Sequence, residues 1–266
     1  MRRILVFIQA LFMICGLARA LEFHDIGNYT LQLVNAFRAN PVACAEEMGI
    51  LEETKKAWGG KFSLLEEGLS PLVLDPRLQE AARLKVEDMV QNGYFSVVSP
   101  SGVGPDALVA QTGYTPLFSG VAIAYLAFEN FVAPQQAVSY ILTLLEKRSL
   151  LMADKGSTSL LFPPYTRAGF ALATVRLTVN SEPMNVYIFC AVFSVDKKDT
   201  DSLFIVGWNY PASLVFFNAS GERIPPLIFP DGSYYVPLTK GKNFYCVGDC
   251  HYIHSFSLVR PLRIDF

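Results

Sequence analysis

"LVLDPRLQEAARLKVEDMVQNGYFS", Leu72 to Ser96, contains a helix together with its start and stop signals. Asp75 stands at the N-cap, where a carboxylate accepts from first-turn N–H groups. Pro76 follows at the first helical position, where its missing N–H costs nothing. Leu78, Ala82, Val86 and Met89 then recur at spacings of three and four, forming one apolar stripe. Gly93 supplies the stop, because glycine takes the left-handed conformation that ends many helices. Such a stripe must bury itself, so the rest of the chain has to supply the surface that covers it.

Upstream, "NYTLQLVNAFRAN" (Asn28–Asn40) places Leu31, Val34, Ala36 and Phe37 near one face and stops at Pro41, which predicts another amphipathic helix. "VACAEEMGILEETKKAW" reads as one further short helix before a glycine-containing loop. Downstream, "APQQAVSYILTLLEKRSLLMA" is a helix opened by Pro134. After Pro163-Pro164 the pattern becomes extended. "RAGFALATVRLTV" and "NVYIFCAVFSV" are β-rich runs joined through Asn180-Ser181-Glu182-Pro183, a hairpin whose second strand is apolar enough to be central. The charged "DKKDTD" (Asp196–Asp201) predicts a linker. Beyond it, "LFIVGW", "SLVFFNA", "SYYVPL", "NFYCVG" and "SFSLVRPL" predict a small antiparallel β-sandwich, residues 203–266, following a first domain of residues 21–199.

The chain opens with Arg2 and Arg3, an apolar run and Ala18-Arg19-Ala20, the order of a secretory signal peptide, residues 1–20. That run is shorter than the roughly 18 residues of a membrane span, so no transmembrane segment is expected after signal removal. A lipid anchor at Cys15 is disfavoured by Ile14 before it. The expected location is therefore secreted, periplasmic or cell-surface. A net charge of −2 with its charges scattered lacks the basic stripe that nucleic acid requires. Four cysteines follow the signal. "CVGDC" favours a Cys246–Cys250 bridge across a Gly-Asp turn, and Cys44 with Cys190 form either a long-range bridge or two buried thiols.

The order of these elements resembles the CAP superfamily of cysteine-rich secretory, antigen-five and pathogenesis-related proteins, across roughly Asn28 to Val195. "LVNAFRANP", the Leu72–Ser96 stretch, "GYTPLFSGVAIAY", "PQQAVSYILTLLEKR" and "RAGFALA" carry the resemblance. It implies an α+β fold: an α-β-α sandwich with a central antiparallel sheet, here followed by a small all-β module. The bacterial branch carries histidines and a glutamate around a cleft able to hold a divalent metal. Matched to those positions, this chain has Val97, Val121 and Lys147, and Lys85 stands where a further histidine is common. Imidazoles and carboxylates bind metals; branched hydrocarbon and an ammonium group do not.

The expectation is a metal-free, cofactor-free, non-enzymatic cleft. Val97, Val121, Tyr94 and Tyr125 would surround an apolar pocket with Lys147 or Arg148 at its rim, suited to a lipid or another apolar small molecule, with a protein partner as the other option. The alternative is an extracytoplasmic hydrolase using carboxylates such as Glu129 or Glu146. No G-x-S-x-G elbow is present, and His24 lies near the new N-terminus, so a serine- or cysteine-based triad lacks an evident base. "GVGPDA", Gly102–Ala107, is read as a loop. Cys246, Cys250, His251 and His254 have the donor types of zinc, but a secreted chain favours the disulfide. Trp208, Tyr210, Tyr234, Tyr235 and Phe244 are read as the core of the small β-domain or as a partner or carbohydrate surface.

Overall fold

The computed structural model describes residues 21–152, 156–179, 182–196, 203–238, 241, 243–247, 252–256, 258 and 260–266. The proposed signal peptide and the Cys246–Cys250 bridge lie outside what is described. In chain order, β1 (Glu22–His24) leads to α1 (Gly27–Ala39), α2 (Pro41–Glu47), α3 (Leu51–Trp58) and α4 (Ser63–Glu66). β2 (Val73–Leu74), α5 (Pro76–Gln91), α6 (Pro105–Ala110), β3 (Phe118–Phe128) and α7 (Pro134–Leu150) follow. The long hairpin of β4 (Arg167–Val179) and β5 (Glu182–Val195) closes the first unit.

Helix α5 forms as its punctuation dictates. Asp75 Oδ1 accepts from the Arg77 N–H at 2.9 Å, and Gly93 takes φ +64° at the exit. Leu78, Ala82, Val86 and Met89 are all fully buried. Other elements depart from the sequence expectation. The run expected as one helix over residues 42–58 is two, α2 and α3, because Gly49 at φ +67° turns the chain between them. "GVGPDA" is not all loop: Pro105 starts α6. Strand β3 precedes α7, so extended structure begins well before Pro163.

The main sheet is ordered β1-β4-β5-β3, with β2 added in parallel to β4. The hairpin register runs from Arg167 opposite Ser194 to Val179 opposite Glu182, and β3 pairs with β5 along its whole length. Strand β5 is apolar on both faces, which requires cover on both sides. Tyr187, Phe189, Ala191 and Phe193 face α1 and α7, while Val186, Ile188, Cys190 and Val192 face α5 and α6. The result is the α-β-α sandwich. Gly169 lets α5 approach the sheet, since a Cβ there would stand 2.0 Å from the Leu78 carbonyl carbon.

Between α1 and the segment before β4 lies Arg38, fully buried. Its Nε donates to Ser70 O at 3.0 Å and its Nη1 to Leu160 O at 2.6 Å and Phe162 O at 3.3 Å, while Nη2 reaches Tyr165 O at 3.5 Å. Burial pushes its pKa down to about 9, so the group remains cationic at neutral pH.

The chain continues as β6 (Leu203–Trp208), β7 (Val215–Phe217), β8 (Arg223–Ile224), β9 (Leu227–Ile228), β10 (Ser233–Leu238), β11 (Asn243–Val247), β12 (Tyr252–Phe256) and β13 (Leu262–Arg263). They form two four-stranded sheets, β13-β6-β10-β9 and β12-β11-β7-β8. One pairing departs from the antiparallel expectation, because β13 runs parallel to β6. Ile205, Phe216, Tyr234 and Val236 fill the space between the sheets. The alternate residues Phe204 and Val206, with Leu227 and Phe229, turn to the first unit and join its core. Asp196, read as the start of a linker, is instead tied down: it accepts from Tyr114 Oη at 3.0 Å and pairs with Arg167 at 3.1 Å.

Cys44 and Cys190 are separate thiols, which removes the long-range bridge. Burial of Cys190 raises its pKa to about 12. Cys44 is only partly buried, on α2 against α7, where burial first and then the charges of Glu146 and Glu47 hold its pKa up. Desolvation also raises the Glu146 carboxyl to about 7. Among the described residues, no helix is long and apolar enough to cross a membrane.

Two consequences are measurable. Arg38→Met leaves four carbonyls without their donor and lowers the unfolding free energy by about 3 kcal/mol or more, read as a reduced urea midpoint with an unchanged slope. Glu146 has a folded-state pKa above its unfolded value, so it favours the folded state at acid pH and that contribution is lost as pH rises from 4.5 to about 7. Glu146→Gln therefore matches wild type near pH 4 and exceeds it by up to about 3 kcal/mol at pH 8, in paired denaturation curves.

Candidate functional site

The outer edge of β3 is an edge of the main sheet, opposite the short β1. Elements from both faces converge on it and leave a cleft of about 460 Å³. On the α5 side, the turn at Gly93 brings Ser96, Val97 and Val98 over the strand, and Pro105 at the start of α6 stands beside them. Ala122 and Ile123 of β3 form the floor. On the other side α7 contributes Leu145 and Arg148, one turn apart, so that hydrocarbon lies within and the cation beside it. Ser157 and Thr158, with Trp208 of β6 and Asp231 from the turn before β10, make the end wall.

That end wall is built by close backbone approaches. A Cβ on Gly120 would stand 1.9 Å from Ser157 O, and one on Gly156 would stand 2.3 Å from Phe229 Cγ, so only glycine permits either contact. Tyr165 Oη donates to Ser157 O at 2.8 Å. Asp231 clasps the turn from the other side. Its Oδ1 accepts from Gly156 N at 3.1 Å and from Ser233 N and Oγ at 3.0 and 2.6 Å. Its Oδ2 accepts from Ser157 N and Oγ at 3.2 and 2.7 Å. Trp208 stacks on Phe118 with centroids 5.2 Å apart, and Arg263 Nη1 meets Asp106 Oδ2 at 2.6 Å, so the C-terminal sheets are fixed against β3 and α6.

Of the residues read from the sequence, Val97 and Arg148 line the cleft. Val121 does not. It shares a face of β3 with Ile123 but is fully buried among Val86, Met89 and Val192, so Ala122 and Ile123, on opposite faces of this edge strand, are the strand's contribution. Tyr94 is turned to Lys85 and Asp88, and Tyr125 packs edge-on against Phe95 at 5.0 Å. Lys147 is exposed on α7 and does not line the cleft. The carboxylates chosen for the hydrolase reading do not converge: Glu129 is exposed just past β3, and Glu146 faces Cys44. Leu145 and Asp231 escaped the sequence reading, and Trp208 was read only as core or surface of the small β-domain, because nothing in the sequence says that the C-terminal sheets reach the cleft; the glycines at 120 and 156 were the available signal of close approach.

The lining does not fit a divalent metal. It contains no imidazole, and its single carboxylate, Asp231, already receives five N–H or O–H donors. Among the described residues, no three His, Cys, Asp or Glu side chains group to hold an ion. The site offers an apolar trough, several hydroxyls and one guanidinium.

No curated protein matches the chain. An outer surface protein from Borrelia burgdorferi is similar at 11% identity, covering 67% of this chain and 100% of that one with a TM-score of 0.33. An extracellular protein containing a SCP domain from Bacillus anthracis str. Ames is similar at 14% identity, covering 64% of this chain and 42% of that one with a TM-score of 0.34. Both likenesses are loose, and the assignment rests instead on a family-wide pattern matched over residues 31–192, more than half of the chain. The chain belongs to the CAP family, the cysteine-rich secretory protein family.

Proposed function

We propose that this protein is a secreted or surface-exposed, non-enzymatic CAP protein that holds an amphiphile in the β3-edge cleft: an acyl or similar hydrocarbon chain bearing an acidic head. The sequence of residues 1–20 supports export. The observation that carries the ligand reading is the cleft lining. Val97, Val98, Ile123, Leu145 and Trp208 offer hydrocarbon on several sides of one trough, and Arg148 stands beside it. A chain laid there removes apolar surface from water at about 0.8 kcal/mol per buried methylene, and a guanidinium meets a carboxylate or phosphate in a forked geometry. The C-terminal sheets belong to the binding site as its end wall.

The cleft lacks the convergent acid and base that hydrolysis requires, since its one carboxylate is fully occupied as an acceptor. Its chemistry is retention.

Native mass spectrometry of the full-length protein purified from its expression host is expected to show a co-purifying amphiphile. Val97→Asp, at a partly exposed position, is expected to abolish that retention, with a melting temperature measured alongside to show that the variant is folded. Arg148→Gln is expected to weaken uptake of a long-chain fatty acid by about tenfold while sparing a neutral alcohol of equal length. A ligand-free protein that takes up no fatty acid at micromolar concentration overturns the reading and leaves a protein partner as the occupant to seek.

A further inference from the structure

Outside the cleft, at the last turns of α5, a buried amine sits in a chain of hydrogen bonds. Lys85 is only 2% exposed, and its Nζ donates to Tyr94 Oη at 2.9 Å. The Tyr94 hydroxyl in turn donates to Asp88, whose other oxygen accepts from Asn92 Nδ2 at 2.6 Å. From the sheet beneath, Cys190 of β5 is the titratable neighbour, and burial keeps its thiol neutral. Lys85 and Asp88 both line a second cavity of about 350 Å³, with Glu87, Gln91, Ser101 and Gln111 around it. Burial lowers the pKa of the ammonium, partly opposed by Cys190 and Asp88.

We infer that Lys85 is an amine nucleophile that captures a small, neutral, hydroxyl-bearing aldehyde or ketone in this cavity as an imine. An ammonium ion cannot attack, so a proton must first leave. The path is present: Lys85 passes a proton to the Tyr94 oxygen as Tyr94 passes its own to Asp88, leaving a neutral amine and a protonated carboxyl. The nitrogen lone pair then forms a C–N bond to the carbonyl carbon. The C=O π pair moves to oxygen, which takes the proton back from Asp88 through Tyr94, and the nitrogen then passes one of its own protons along the same path to Asp88. The hydroxyl leaves with that proton from Asp88, as water, giving the protonated imine and restoring the carboxylate, so one carbonyl compound and one ammonium group yield one protonated imine and one water. The two acids at the cavity disfavour an anionic carbonyl compound, and the amides and Ser101 offer partners to hydroxyl groups. An amine in water is almost wholly protonated at neutral pH, and burial separates Lys85 from that class.

The probe is glyceraldehyde with cyanoborohydride at pH 7, applied to the full-length protein and read by peptide mass mapping. Lys85 is expected to acquire the reduced adduct about tenfold faster than the exposed Lys55, Lys56 and Lys147. Tyr94→Phe removes the relay and keeps the ring, so Lys85 labelling is expected to slow by about tenfold while the exposed lysines label as before. A matching melting temperature shows that the variant is folded. Labelling of Lys85 no faster than that of the exposed lysines overturns the assignment, as does a folded Tyr94→Phe that labels at the wild-type rate.

Discussion

A guanidinium whose partners are backbone carbonyls holds the walls of this protein's cleft in place. Arg38, on the first helix, reaches Leu160, Phe162 and Tyr165, well over a hundred residues along the chain. Those carbonyls belong to a segment outside the regular elements, and its amide dipoles would be expensive to bury without a donor. Fixing it fixes Tyr165, whose hydroxyl holds Ser157 O against Gly120. Ser157 in turn is clasped by Asp231 of the C-terminal sheets. One buried cation therefore propagates, through successive hydrogen bonds, to the end wall of the cleft.

This chain of contacts also accounts for a cleft that stays open. Protein interiors close around voids when neighbouring side chains can move into them. Here the walls belong to elements anchored elsewhere: α7 by its buried stripe against the sheet, the 156–158 turn by Tyr165 and Asp231, and Trp208 by its stack on Phe118. The floor is a sheet edge bearing Ala122 and Ile123, too short to fill the gap. On the proposed function, hydrocarbon from a ligand would complete the packing that the protein leaves unfinished.

The fold was legible because its determinants are local. Asp75, Pro76 and Gly93 bracket α5 by backbone chemistry alone, and the double-sided apolar run of β5 announces cover on both faces. The site was only half legible. Val97 and Arg148 were found by their positions in the family pattern, whereas Val121 was misplaced because matching a motif gives a position on a strand without its depth; Ile123, two residues along the same face of β3, reaches the cleft while Val121 stays in the core. The place of Trp208 and Asp231 in the cleft was not legible for a different reason. Their role depends on how two groups of sheets dock, through alternate residues of β6 and glycine contacts at 120 and 156, and that docking has no local signature.

The central claim is that the cleft shared by β3, α7 and β6 holds a hydrocarbon chain against Trp208. A fatty acid brominated along its chain quenches indole fluorescence only at near contact, and the protein contains just two tryptophans, one of them the deeply buried Trp58. Titration of the full-length protein is expected to give saturable quenching at micromolar ligand that is lost in Trp208→Phe and retained in Trp58→Phe. Absence of saturable quenching, or quenching that survives Trp208→Phe undiminished, would contradict it.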